Sequence, residues 1–339
     1  MSRVYCLAED RAAEEVGLRF ALASLRRACP TAAVVVYRPA PSADFRAWVA
    51  ARVPNARLVP ELPPGASSWN CKPHVLLPVL EAGHAEAVWL DSDLIVARDP
   101  SPLLDAARPD ELIGTEEPVS SVNQGSAVRA AAWGLEPGRS YPVTLNTCVL
   151  RVTPAHVPLL RRWKGLLEDP VYAATQTRPL GERPLHLMSD QDVLNALLGA
   201  KEFEHLPVRF LRGGRDVIHG GGALGYSLGQ RLAGVFRRVP PFLHAIASKP
   251  WVVFTPGYAA RHDRWFTFYR RVLQETSPYV AAARRLRGEV GVDCPWLDAG
   301  SWLGRGLRAA GLGHYALRGL PLTLVASAGE AASRLVRGR

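Results

Sequence analysis

Ala87-Val88-Trp89-Leu90-Asp91-Ser92-Asp93-Leu94-Ile95-Val96 is the stretch on which the reading of the fold turns. Four apolar residues predict a short buried strand, and Asp91-Ser92-Asp93 stands at its C-terminal end, where a second apolar run begins. In open α/β sheets, ligands gather outside the carboxyl ends of the strands. Carboxylates set between apolar runs need a partner, because buried charge is costly unless paired or metal-bound. Two of them one residue apart can reach one hard divalent cation. Such a cation can bridge the diphosphate of a nucleotide sugar and neutralise the leaving group. Taken alone, the same acidic pair also suits a solvated turn after a strand.

Upstream, strands and helices alternate. Val4–Ala8 reads as a buried strand, Leu18, Ala21, Leu22 and Leu25 follow helical spacing, and Val34–Tyr37 is a β-branched strand closed by Pro39 and Pro41. A helix is expected from about Pro73 to Glu81, with Pro73 in its first turn and Pro78 kinking it or ending it early. Downstream the pattern loosens between Pro100 and Pro142. It resumes with a strand at Leu145–Val152, a helical stripe of Leu159, Leu160, Trp163 and Leu167, a helix beginning at Ser189, and a last core strand within Leu206–Leu211. This alternation predicts an α/β fold with a Rossmann-like, mainly parallel sheet flanked by helices. The expected division is a catalytic domain over residues 1–255 and a helical, basic C-terminal region over 256–339.

Two further constellations carry chemistry. Asp190-Gln191-Asp192 follows Ser189, which as an N-cap would make the acids simple helix-start residues; capping leaves Gln191 unexplained. In His244-Ala245-Ile246-Ala247-Ser248-Lys249-Pro250-Trp251, the histidine can ligate a metal and the lysine can hold phosphate oxygens. A bland surface loop is the other reading.

The 339 residues carry a net charge of +10, concentrated late: nine Lys or Arg against two acids from Arg209 to Arg264, and six Arg against Glu330 in the last 39 residues. No nucleic-acid-binding motif accompanies them, so a phosphate-rich ligand or an anionic membrane surface is the expected partner and nucleic acid is not. Five cysteines without a C-x-x-C spacing predict reduced thiols. No signal-peptide order and no apolar run of spanning length is seen. A cytoplasmic protein, peripheral to the inner membrane face at most, is expected.

Together these residues resemble the retaining glycosyltransferase family that includes glycogenin and bacterial lipopolysaccharide galactosyltransferases, glycosyltransferase family 8. The resemblance runs through Val4–Asp10, Cys71-Lys72-Pro73, Val88–Asp93 with Leu94-Ile95-Val96, Pro102-Leu103-Leu104, Leu145–Leu150, Asp190–Asn195 and Lys249-Pro250-Trp251. It implies a GT-A fold, a nucleotide-diphosphate sugar donor (a UDP-sugar), transfer to an acceptor hydroxyl with retention, and Mn2+ or Mg2+. By position it implies Asp91, Asp93 and His244 as metal ligands and Lys249 on the diphosphate. Lys72, Asn146, Asp190 and Gln191 would surround the donor sugar, with Ala8 and Asp10 near the base and ribose. Gln191, Asp190 and Lys249 are the expected catalytic residues. The sequence departs from the family where His244 and Lys249 are one residue closer than usual with no glycine between them, which makes His219 the alternative ligand, and where Thr147-Cys148 replaces Ser-Gly. A nucleotide-sugar hydrolase, a nucleotidyltransferase and a noncatalytic nucleotide-sugar-binding protein are the rival expectations. The acceptor, whether glycan, lipid-linked or protein, is not specified.

Overall fold

The β-branched and aromatic runs form strands wherever both faces can be buried. The computed structural model describes residues 3–117, 125–220, 227–246, 249–298, 302–325 and 327–328, and the chain divides into two units, residues 1–15, 31–92 and 101–211, and residues 16–30, 93–100 and 212–339.

The first unit is built on a seven-stranded sheet. Its strands are β1 (Arg3–Ala8), β2 (Ala33–Tyr37), β3 (Ala56–Val59), β4 (Glu86–Leu90), β6 (Leu112–Glu116), β7 (Leu145–Val152) and β8 (Val208–Leu211). The intervening β5 (Leu94–Val96) belongs to the second unit. The order is β3-β2-β1-β4-β7-β6-β8. All pairings are parallel except those of β7, which runs antiparallel to β4 and β6. The reversal of β7 has a direct consequence. The C-terminal ends of β1, β4 and β6 and the N-terminal end of β7 lie along one edge of the sheet, so Ala8, Asp91, Glu117 and Asn146 share that edge.

Side chains alternate along a strand. Val4, Cys6 and Ala8 join Ala87 and Trp89 in one buried cluster with Val75, Leu76 and Val79 from the helix Lys72–Glu81, Trp163 from Val157–Leu167, and Leu194 and Leu197 from Asp190–Gly199. Trp163 is wholly buried and its indole N–H donates to the Asp190 carbonyl at 3.0 Å, tying one helix to the start of the next. At Gly199 an added Cβ would lie 2.3 Å from the Ser126 backbone, so the helices Asp190–Gly199 and Ser126–Ala132 approach closely only because no side chain intervenes.

Two local expectations need correction. The helix Lys72–Glu81 continues through Pro78, whose own carbonyl still accepts the Ala82 N–H at 3.0 Å. A proline this near a helix end forfeits one hydrogen bond, and every residue of the helix except Pro78 and Glu81 is buried. Ser189 is the N-cap position of the next helix, but its hydroxyl donates to Asp192 Oδ2 at 2.7 Å instead of accepting a backbone N–H.

The second unit contains a three-stranded sheet in the order β5-β10-β9, where β9 is Val217–His219 and β10 is Phe242–His244. β10 is antiparallel to β5 and parallel to β9. The rest is helical, including Glu15–Ala28, Arg264–Glu275, Pro278–Arg285 and Trp302–Ala309. Phe20, Tyr279, Val280 and Trp296 are buried, and Arg284 forms a two-pronged ion pair with Glu275 at 2.7 and 2.8 Å. Among the described residues, the arginines of the basic C-terminal stretch are not one surface. Arg305 and Arg308 are exposed, Arg318 is buried, and Arg334, Arg337 and Arg339 lie outside the described residues. Among the described residues, no helix is long and apolar enough to cross a membrane. All five cysteines are free thiols.

Candidate functional site

In the first unit the sheet edge and two helix starts bring polar groups together. Lys72, the first residue of its helix, is buried, with Nζ 2.8 Å from Asp190 Oδ2 and 3.7 Å from Asp91 Oδ1. Burial works against charge on both members, lifting the Asp190 carboxyl and opposing the ammonium. At Lys72 the two carboxylates outweigh the desolvation and raise its pKa, so the lysine is held charged. Asp91 also accepts the Trp89 indole N–H at 2.6 Å. The carboxylate at the end of β4 therefore has partners of the kind that its apolar flanks required.

A second cluster lies along the same edge. Asn146 on β7 and Gln191 at the start of its helix both donate side-chain amides to Glu117 Oε2, at 2.8 and 2.9 Å. Asn146 Oδ1 accepts the Cys148 N–H at 2.9 Å, which fixes its amide orientation. Glu117, buried just past the end of β6, thus clamps two of the expected donor-sugar residues. Sequence reasoning missed it, because Gly114, Thr115 and Glu116 separate it from the apolar pair Leu112-Ile113. It missed Arg129 as well, whose Nε donates to the buried Asp192 at 3.1 Å. Burial raises the Asp192 pKa to about 6, against the pull of Ser189 and Arg129. Asp10, in the loop after β1, accepts the Ser68 N–H at 2.8 Å. Ala8 ends β1, and the adjoining Glu9 is buried, accepting from Ser92 Oγ at 2.6 Å and pairing with Arg11 at 2.8 Å.

In the second unit Asp93 directly precedes β5 and is buried. Its Oδ1 lies 3.3 Å from His244 Nε2, its Oδ2 contacts Lys249 Nζ, and its carbonyl accepts the Ala245 N–H at 3.0 Å. Lys249 Nζ also donates to the Ala245 carbonyl at 3.0 Å. His244 and His219 are in register on neighbouring strands, Nδ1 to Nδ1 at 2.9 Å with the rings edge to face. His244 is thus the histidine beside the acid, and His219 touches the other nitrogen of the same ring. Asp93 and His244 offer two ligand atoms to one cation, a carboxylate oxygen and an imidazole nitrogen.

No protein-family model and no curated protein matches the sequence. Solved structures resemble the chain in fold. A glycosyltransferase involved in the glycosylation of the major capsid of PBCV-1 is 11% identical, with a TM-score of 0.41, over 74% of this chain and 95% of its own. Galactosyltransferase LgtC, solved in complex with donor and acceptor sugar analogs, is 16% identical with a TM-score of 0.45, over 84% and 99%. The glycosyltransferase GlyE of Streptococcus pneumoniae TIGR4 is 15% identical with a TM-score of 0.45, over 79% and 63%. At such identities the likeness concerns the fold. A mainly parallel α/β sheet flanked by helices is the fold observed.

Proposed function

We propose that this chain is a metal-assisted glycosyltransferase that moves a sugar from a nucleotide-diphosphate donor, a UDP-sugar, to an acceptor hydroxyl with retention of configuration. The observation that carries the reading is Asp93 held between an imidazole and an ammonium, two positions along the chain from Asp91 at a strand end. A carboxylate and an imidazole together suit Mn2+ better than Mg2+, which prefers oxygen ligands alone. The donor set therefore fits the metal that the resemblance implied, with Asp91, Asp93 and His244 as the proposed ligands. When bound, the metal would supply Lewis-acid stabilisation of the departing diphosphate.

The protein's own residues have distinct proposed roles. Lys249 holds diphosphate oxygens and offsets the charge that grows on them as the sugar leaves. Gln191 and Asn146 present oriented amides to the donor sugar, kept in place by Glu117. Asp190 is committed to Lys72, which suits it to positioning and local electrostatics near the anomeric carbon rather than to taking the acceptor proton. Retention agrees with this, because inversion calls for a general base on the acceptor hydroxyl. Ala8 and Asp10, at the end of β1 and in the loop beyond it, are proposed to border the base and ribose. The donor-binding part is proposed to span residues 1–255, with 256–339 as the basic helical region. A peripheral contact between exposed Arg305 and Arg308 and the inner face of an anionic membrane is proposed as well, to be read by vesicle sedimentation.

The test is a panel of nucleotide sugars with Mn2+, scored for donor-specific thermal stabilisation and nucleotide release, with and without EDTA. One donor should stabilise and turn over, and chelation should abolish turnover. Stabilisation without turnover in the presence of varied acceptors would mark a binding protein, and full activity in EDTA would remove the metal from the reaction. Proton NMR of the product should show the donor's anomeric configuration retained.

A further inference from the structure

The second unit contains a cavity of about 760 Å³ whose chemistry the proposed transfer reaction does not use. Its floor is apolar: Ile95, Leu243 and Leu286 line it and are buried, with Ala281 and Ala282 alongside. Its rim is cationic. Arg27, Arg98, Arg237, Arg238 and Arg285 all line it and are exposed, against Asp99 as the single acid among its described lining residues.

These arginines come from separate segments: the helix Glu15–Ala28, the stretch after β5, the stretch after the helix Leu228–Val235, and the helix Pro278–Arg285. The rim is braced. The Tyr315 hydroxyl, itself at the cavity, lies 2.8 Å from the Gly234 carbonyl oxygen and 3.2 Å from those of Arg237 and Arg238. Arg98 Nε donates to the Val239 carbonyl at 2.8 Å, and Arg27 pairs with Glu289 at 3.2 Å. The side-chain alternation of β5 and β10 separates this cavity from the acid–histidine pair. Leu243 and Ile95 are directly paired, as are His244 and Leu94, so the cavity residues Leu243 and Ile95 point to the face opposite His244.

With Arg27 paired to Glu289 and Asp99 at the rim, positive charge is still in excess around the mouth and favours entry of an anion. Guanidinium groups match phosphate oxygens in a two-pronged geometry, and several of them exceed what one carboxylate could use. A bare inorganic anion would leave the apolar floor in contact with water. A volume of 760 Å³ also accommodates a small organic ligand, not just an ion. From these observations we infer that the cavity is a binding site for a phosphate- or diphosphate-bearing amphiphile, with its anionic head among the rim arginines and the first part of its apolar chain on the Ile95, Leu243 and Leu286 floor. The same chemistry is available from a free amphiphile or from a membrane surface, and the cavity favours single-molecule capture. This inference is independent of the transferase reading and stands or falls without any turnover assay.

Isothermal titration calorimetry on the full chain, at moderate salt and without nucleotide sugar, tests it with geranyl diphosphate, inorganic diphosphate and geraniol. Geranyl diphosphate should bind at least tenfold more tightly than either fragment. Arg237→Glu combined with Arg285→Glu, both exposed and therefore tolerable to the fold, should weaken that binding at least tenfold with an unchanged melting temperature. Leu243→Ala should weaken geranyl diphosphate while leaving inorganic diphosphate unaffected. Equal affinity for geranyl and inorganic diphosphate, or no response to the double arginine substitution, overturns the inference. Binding to phosphatidylglycerol vesicles without binding of soluble geranyl diphosphate overturns it too, and assigns the arginines to a membrane surface instead.

Discussion

Replacing Lys72 by methionine removes a buried charge on which two carboxylates depend. The ammonium sits 2.8 Å from Asp190 and 3.7 Å from Asp91, with Lys72 and Asp190 each 4% exposed in their side chains and Asp91 26%. Removing one partner of a buried ion pair costs about 3–5 kcal/mol, because the orphaned charge stays desolvated. The loss at Asp190 should fall in that range, with a smaller share from the better solvated Asp91. At roughly 2–4 °C per kcal/mol for a unit of this size, the melting temperature should drop by about 10 °C. Asp190→Asn should cost distinctly less, since it leaves Lys72 paired with Asp91. Combining the two substitutions should return at least half of the loss seen in Lys72→Met, because no carboxylate is then stranded at full burial. The measurement is chemical denaturation of the wild type, both single variants and the double variant at pH 7. The sign of the pH dependence supports that choice. The folded pKa of Lys72 is raised, so its contribution is complete below the unfolded value of 10.5 and is lost only as pH rises through the folded value. A Lys72→Met loss under about 1 kcal/mol, or an Asp190→Asn loss as large as that of Lys72→Met, would refute the reasoning.

Other outcomes are equally concrete. Asp93→Asn should abolish turnover and lower the melting temperature of the metal-free protein, since it leaves the Lys249 ammonium without its carboxylate partner; retained turnover at ordinary Mn2+ would contradict its proposed role. His244→Ala should raise the Mn2+ requirement more than His219→Ala does, because His244 lies 3.3 Å from Asp93 while His219 reaches only the far side of that ring; the reverse order in a Mn2+ titration would exchange the two roles. Glu117→Gln should lower kcat at least tenfold, since it replaces an oxygen that holds both the Asn146 and Gln191 amides, and it should leave secondary structure intact by circular dichroism. His156, whose Nδ1 accepts the Thr153 N–H at 3.0 Å, has its pKa lowered from 6.5 to about 4, chiefly by burial and then by Arg151. A depressed histidine contributes stability above its unfolded pKa and loses it as pH falls through the folded one. About 3 kcal/mol should therefore disappear between pH 6.5 and 4, and urea midpoints of His156→Gln should lack that slope.

The parts of the fold legible in the sequence were those whose residues repeat a period. Val4–Ala8, Val34–Tyr37 and Ala87–Leu90 are continuous apolar runs, and a fully buried strand in a parallel sheet has no choice but to look like one. β3 was overlooked because Ala56-Arg57-Leu58-Val59 is a partly exposed edge with an arginine in it. β5 and β10 are three residues each, too short to show any period. Part of the site was legible for the same reason as the strands: Asp91 ends an apolar run, so its charge stands out. Glu117 did not stand out, because Leu112-Ile113-Gly114-Thr115 is interrupted by a glycine and a threonine. That glycine has a packing cause. A Cβ at Gly114 would come within 2.5 Å of the Leu145 side chain, where β6 slips register against β7. Whether Ser189 caps a helix depends on which competing hydrogen bond wins, and Asp192, itself held by Arg129 from another helix, takes its hydroxyl.

The buried thiols make the molecule its own clock of opening. Cys6, with no exposed surface in the middle of β1, has its pKa pushed up by burial to about 12. At neutral pH only about one molecule in 100,000 would carry the reactive thiolate there, so a thiol reagent can label it only during excursions that part β1 from its neighbours. Cys294, half-buried in the second unit, needs a much smaller excursion. The ratio of the two labelling rates, followed by mass spectrometry without any denaturant, would read out how independently the two units breathe.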